Sequence, residues 1–331
     1  MCLLPEMEVN MDISTTPNKQ KTKKQKVNEK GTFLSRVRRQ ASLQIMALIG
    51  IAFIVVFRLV PIQGMQLAFK ELLPGMSVAQ SPWVGLKHFE DFFYSGAFAS
   101  VMRNTIVLSL AKIFIGFPVP VIFALLLNEV HSHKAKSLVQ GISYLPHFLS
   151  WVVIFGVTSG ILAMQGGVIN DTLMALGFIR EPIHFLGTPS MFKSIMVILD
   201  IWKETGWSAI IYMAAIAGLD EQLYEAARVD GAGRLRQTVS ITLPLLMPTV
   251  IIMLVLRVGS IMDAGFDQIL VFRNAITQET ANILDVYVYD IGLTQGRFGY
   301  ATAVGMFKSI IGFVMVFGTN KIANKYDMGL W

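Results

Sequence analysis

The sequence predicts an all-α integral membrane protein with six transmembrane helices and both termini in the cytoplasm. Three observations carry this fold class. Of the 331 residues 53% are hydrophobic and only 15% charged, more apolar surface than a soluble domain of this length buries. Six stretches hold the roughly 20 mainly apolar residues that a helix needs to cross hydrocarbon about 30 Å thick. The lysines and arginines of the intervening loops alternate in density from one side to the other, as the positive-inside rule requires.

The elements follow in order. Residues 1–40 form a basic cytoplasmic tail, disordered at its start. Lys19, Lys21, Lys23, Lys24, Lys26, Lys30, Arg36, Arg38 and Arg39 all precede the first apolar run, and such a tract next to a span suits anionic lipid without nucleic acid as a partner. Residues 41–331 form one six-span domain, with spans near 42–60, 104–127, 138–163, 191–219, 241–262 and 302–319. A cytoplasmic tail places Lys134 and Lys136, then Arg228, Arg234 and Arg236, then Lys321 and Lys325 on the same side. The outer loops 61–103, 164–190 and 263–301 are longer and less basic for their length. Trp83, Phe89, Phe92, Phe93 and Tyr94 in the first of these fit either an aromatic belt or a docking surface for an extracytoplasmic partner.

Ionisable groups inside spans are costly and face protein or water, so each is a candidate pathway residue. Asp200, Lys203 and Glu204 share one face of the fourth span at i, i+3 and i+4, where they can pair with one another. Lys112, Arg257 and Asp263 are further cases. Trp202, Trp207 and Tyr212 offer ring faces on which sugars can stack, although aromatics near an interface need no ligand. The candidate translocation path is therefore Asp200, Trp202, Glu204, Tyr212 and Asp263. Gly116, Pro118 and Pro120 predict a kink in the second span, and Gly156 with Gly160 permits a close helix approach.

No catalytic set or metal site emerges. Cys2 is the single cysteine, and His131 with His133 is too little for a zinc site without further ligands. The chain lacks G-x-x-x-x-G-K-[ST], so it has no phosphate cradle and binds no cofactor itself. An ion-driven carrier or a channel using Lys112, Asp200 and Glu204 is the alternative that these residues leave open.

The segment 220–248, DEQLYEAARVDGAGRLRQTVSITLPLLMP, is polar at its start and reads as helix, turn, helix. Asp220 is the N-cap, Asp230-Gly231 the turn, and Pro244 and Pro248 follow in the next span. Glu225-Ala226-Ala227, Asp230-Gly231-Ala232 and then Ile241, Leu243, Pro244 and Pro248 resemble the EAA motif of permeases in binding-protein-dependent ABC importers. Leu235 and Thr238 stand where many sugar permeases carry bulky aromatics. The stretch YLPHFLSWVVIFGVTSGIL with Gly166-Gly167-Val168-Ile169-Asn170 is similar to the branch that imports oligosaccharides from complex polysaccharides.

The resemblance implies a type I ABC importer permease in a bacterial cytoplasmic (inner) membrane. Its coupling loop, 220–240, would meet the ATPase through Glu225, Ala226, Ala227, Asp230, Gly231, Ala232 and Pro244. Two cytoplasmic ATP-binding subunits carrying the ATP, a second and non-identical permease, an extracytoplasmic solute-binding protein and a carbohydrate substrate are the partners it implies.

Overall fold

The computed structural model of the protein describes residues 41–330 apart from Pro74 and Asp327. The basic tail and Cys2 lie outside the described residues. The chain divides into two units, one ending at Ile62 and the other spanning Gln63–Trp331. In the first, helix α1 (Ala41–Ile54) opens the apolar run and a π-helical turn, Val55–Leu59, follows. Leu48, Ile49 and Phe53 of α1 are exposed, as lipid-facing side chains are.

The second unit is helical, and among the described residues the only β pairing is an isolated bridge between Lys70 and Trp83. Its main helices are α2 (Lys87–Phe93), α3 (Phe98–Asn128), α4 (His133–Phe148), α5 (Trp151–Ile161), α6 (Pro189–Ala217), α7 (Glu221–Val229), α8 (Arg234–Gly259), α9 (Phe266–Phe272), α10 (Leu284–Tyr289) and α11 (Phe298–Asn324). Leu43–Phe69, α3, α8 and α11 are long and apolar enough to cross a membrane. Helix α6 has the length, 29 residues, but its Lys193, Asp200, Lys203 and Glu204 dilute its apolar character.

The third predicted span, 138–163, is not one straight helix: α4 and α5 meet at 103°. Pro146 supplies no N–H to continue the ladder, and Ser150 starts α5 as an N-cap, its Oγ accepting from Val153 N at 3.4 Å. Helix α6 clamps the bend. Lys203 Nζ donates to the His147 carbonyl, Glu204 meets His147 Nδ1 at 2.9 Å, and Trp207 stacks on the His147 ring at 4.5 Å. Two of the charges that read as pathway residues in the sequence thus hold a corner of the fold.

Segment 263–301, read as an outer loop, is largely built into the core. Its Gln268, Ile269, Phe272, Thr277, Ile283 and Leu284 are nearly inaccessible. Ile269 and Phe272 pack with Leu108 of α3, Ile154 of α5 and Phe192 and Met196 of α6. Asn104 of α3 donates to the Glu279 carbonyl at 2.8 Å and Thr105 Oγ1 accepts from Leu284 N at 2.8 Å, which satisfies the backbone of this irregular stretch. Helix α2 does not lie free either. Phe92 is buried against Tyr300 and Phe307 of α11, while Trp83 and Tyr94 remain exposed. A Cβ at Gly156 or Gly160 would meet nothing within 4 Å, so this pair makes no close helix approach among the described residues.

Candidate functional site

A cavity of about 460 Å³ opens between three helix faces. From α3 come Lys112, Gly116, Phe117 and Pro120, from α6 Asp200, Ile201, Glu204, Thr205, Ser208 and Tyr212, and from α8 Met253, Leu256, Arg257 and Ser260. Each set repeats at the three-to-four-residue interval of one helix face. Trp151 and Gly265 complete the lining.

Lys112 organises the wall. It begins a π-helical turn, Lys112–Gly116, the distortion that the glycine and prolines of this span foretold as a kink. Its Nζ donates to Asp200 Oδ1 at 2.9 Å and to Gln268 Oε1 at 2.8 Å, while Gln268 Nε2 donates to the Met196 carbonyl at 2.8 Å. Gly265 has φ +97°, and a Cβ there would stand 2.7 Å from Lys112 Nζ. Only glycine suits that position on both counts. The ion pair is deep, with the Lys112 side chain 3% exposed and that of Asp200 17%. Arg257 Nη2 lies 3.8 Å from Asp200 Oδ2 and its side chain is 42% exposed.

Of the five predicted path residues, Asp200, Glu204 and Tyr212 line this cavity, and two do not. Trp202 lines a separate apolar groove with Phe123 and Ile142, because two residues along a helix turn the side chain through about 200°. Asp263 pairs with Lys308 of α11, which also holds Asp285 at 2.6 Å. Trp202, Trp207 and Tyr212 therefore share no sugar platform; the rings lining the cavity are Phe117, Trp151 and Tyr212. Nor do Asp200, Lys203 and Glu204 form one cluster. Asp200 turns to Lys112, and Lys203 lies 3.6 Å from Glu204 with its ammonium 5.7 Å from the Trp151 ring centre. Gln268 and Trp151 escaped the sequence reading, since nothing in their local pattern marks a contact made 156 residues away, as Gln268 makes with Lys112.

The second site is the loop between α6 and α8. Asp220 caps α7, its Oδ1 accepting from Gln222 N at 2.9 Å. The helix closes with Ala232 N donating to Ala227 O at 2.8 Å and Gly231 N to Arg228 O at 3.1 Å. Gly231 sits at φ +76°, which makes this a Schellman stop. The carboxylates of Glu225 and Asp230 have no hydrogen-bond partner among the described residues. Leu223, Val229 and Leu235 are exposed beside them, Val229 at 88%. Tyr224 OH meets Thr242 Oγ1 at 2.9 Å, joining α7 to α8, and Thr238 donates to Glu129 Oε1 at 2.9 Å. A π-helical turn at Thr238–Thr242 leads into the exposed Pro244. His131 accepts from Arg234 Nη1 at 3.1 Å.

Residues 93–326, which contain both sites, match the family described as binding-protein-dependent transport system inner membrane component. The chain belongs to this permease family. A member of it is the membrane component of an ABC importer and not its ATPase, so ATP is hydrolysed on a partner subunit. This permease is 40% identical over 296 residues to Protein LplB of Bacillus subtilis (strain 168), covering 89% of this chain and 92% of that one. It is 41% identical over 301 residues to the polygalacturonan/rhamnogalacturonan transport system permease protein YteP of the same organism, covering 91% and 93%. Among solved structures it resembles a chain of a bacterial alginate ABC transporter in complex with alginate pentasaccharide-bound periplasmic protein, with TM-score 0.81, 35% identity, and coverage of 89% of this chain and 98% of that one.

Proposed function

We propose that this permease moves an oligosaccharide released from a complex polysaccharide into a bacterial cell by ATP-driven alternating access. In this reading residues 41–331 span the inner membrane six times behind a basic tail, residues 1–40, and both termini are cytoplasmic. The observation that carries it is the 220–240 loop. A capped helix presents Glu225, Asp230, Leu223 and Val229 outward, exposed among the described residues, as a surface made for a partner subunit would be. The names of YteP and of the alginate transporter support a polysaccharide-derived substrate.

Two ATP-binding subunits would bind ATP and grip the loop at Glu225, Ala226, Ala227, Asp230, Gly231 and Ala232, with Pro244 stiffening its exit into α8. A second, non-identical permease completes the path. A solute-binding protein delivers sugar from outside to Asp200, Glu204 and Tyr212. Loaded binding protein and ATP must favour the same outward-open state, which links the distant sites. The intramembrane charges fit this better than an ion-driven carrier, because Lys112 spends its donors on both Asp200 and Gln268.

The test is uptake by the complete importer in proteoliposomes. Gly231→Pro is expected to abolish ATP-driven sugar uptake while the permease still inserts and assembles. Normal ATP-dependent transport by that variant would sink the coupling role.

A further inference from the structure

We propose that the sugar passed by this cavity carries carboxylates, and that Arg257 is the residue that reads them. The inference rests on the carbohydrate reading above and adds the charge of the substrate. Four charged side chains line the cavity, Lys112, Asp200, Glu204 and Arg257. Three of them are engaged. Lys112 spends its donors on Asp200 at 2.9 Å and Gln268 at 2.8 Å, and Glu204 is held by His147 at 2.9 Å with Lys203 at 3.6 Å.

Arg257 differs. Among the described residues its guanidinium has no hydrogen-bond partner, and its nearest anion is Asp200 Oδ2 at 3.8 Å, beyond hydrogen-bond reach. Asp200 is closer to Lys112 by 0.9 Å, the difference of 3.8 and 2.9 Å. The four lining charges balance, two cations against two carboxylates, but Lys203 adds a cation beside Glu204 from outside the lining, which leaves Arg257 the lining charge with no hydrogen bond of its own among the described residues. A charge at membrane depth is expensive unless water or a ligand faces it. Arginine is also the side chain whose planar fork matches a carboxylate with two parallel bonds.

The opposite walls supply the rest of a uronate site. Phe117, Trp151 and Tyr212 give ring faces to the sugar, and Thr205 and Ser208 give hydroxyl partners. A carboxylate pairs with the guanidinium through two charge-assisted bonds, which a neutral sugar's hydroxyls do not match in charge.

The experiment compares proteoliposomes holding the whole importer with wild-type permease, Arg257→Gln or Arg257→Lys. Uptake is measured for a galacturonate trisaccharide and for the same trisaccharide with its carboxylates reduced to alcohols. Arg257→Gln is expected to lower the ratio of acidic to neutral uptake at least tenfold, the scale of one charge-assisted contact, about 1.5–3 kcal/mol. Where the binding protein delivers only the acidic sugar, Arg257→Lys is expected to retain more of its uptake than Arg257→Gln. Equal loss of both sugars, or equal loss in both variants, would overturn the proposal and make Arg257 a contact to another subunit. So would wild-type uptake of the neutral sugar alone, which leaves the carbohydrate reading standing. Uptake of neither sugar by the wild type overturns both readings.

Discussion

The two sites of this permease treat charge in opposite ways. In the cavity, Lys112 is buried and finds both partners inside the chain. In the loop, Glu225 and Asp230 stand in solvent with none among the described residues. A buried ammonium must be satisfied wherever the protein goes, whereas an exposed carboxylate can wait for a second subunit at little cost. The Lys112–Asp200 pair is therefore part of the permease's own stability, and the loop charges are not. That contrast can be broken by mutation.

The largest effect is expected at Asp200. Asp200→Ala leaves Lys112 buried without its anion, a loss of about 3–5 kcal/mol, and Lys112→Met in the same chain should recover part of it. Thermal unfolding of the purified importer in detergent measures both. An Asp200→Ala protein that melts with the wild type would show that Asp200 is dispensable to the cavity wall. Gly265→Ala comes next. It places a Cβ at φ +97° and within 2.7 Å of Lys112 Nζ, at a cost of about 1–3 kcal/mol, and should lower the melting temperature less than Asp200→Ala does.

Glu225→Ala should do the reverse. It is expected to change stability by no more than about 0.5 kcal/mol, since an exposed side chain without partners is removed, and to cut ATP-driven uptake at least tenfold. If it instead destabilises the isolated permease while uptake per folded molecule is unchanged, the loop is an ordinary connector and the contrast between the sites is lost.

Local features were legible in the sequence and distant pairings were not. The apolar runs located helices at all six stretches, and Asp220 and Gly231 gave the start and stop of α7 because caps are decided within a few residues. The faces of α6 were not legible. Asp200, Lys203 and Glu204 look like one cluster by spacing, yet a partner 88 residues away on α3 takes Asp200, while Lys203 and Glu204 stay together at the bend, where His147 lies 57 residues before Glu204. Gln268 gave no signal at all, because a glutamine next to Asp267 reads as part of a solvated loop until Lys112 is placed beside it. The bend at Pro146 and Ser150 was hidden by hydrophobicity, which measures apolar length and is blind to direction. For the same reason segment 263–301, rich in short apolar runs, read as a loop while its residues fill the core.

The smallest effect belongs to an ion pair at the surface of the second unit, which bounds the contrast from below. Lys87 Nζ donates to Glu71 Oε2 at 2.9 Å, with the two side chains 53% and 39% exposed. The hydrogen bond from Lys87 holds the Glu71 carboxyl below its ordinary value of 4.5, and the same bond raises the Lys87 ammonium above 10.5. A carboxyl depressed by folding contributes stability above its unfolded value and loses it as pH falls through the folded one. The lysine's share is present below 10.5 and is lost only as pH rises past its raised value. Both shares are therefore intact at pH 7, and the acid side fails first, below 4.5. Solvent screening keeps such a pair weak. Glu71→Gln should consequently lower the melting temperature slightly at pH 7, far less than Asp200→Ala does, and the gap to wild type should close as pH drops below 4.5. A gap that persists in acid would mean that Glu71 acts through packing instead of charge.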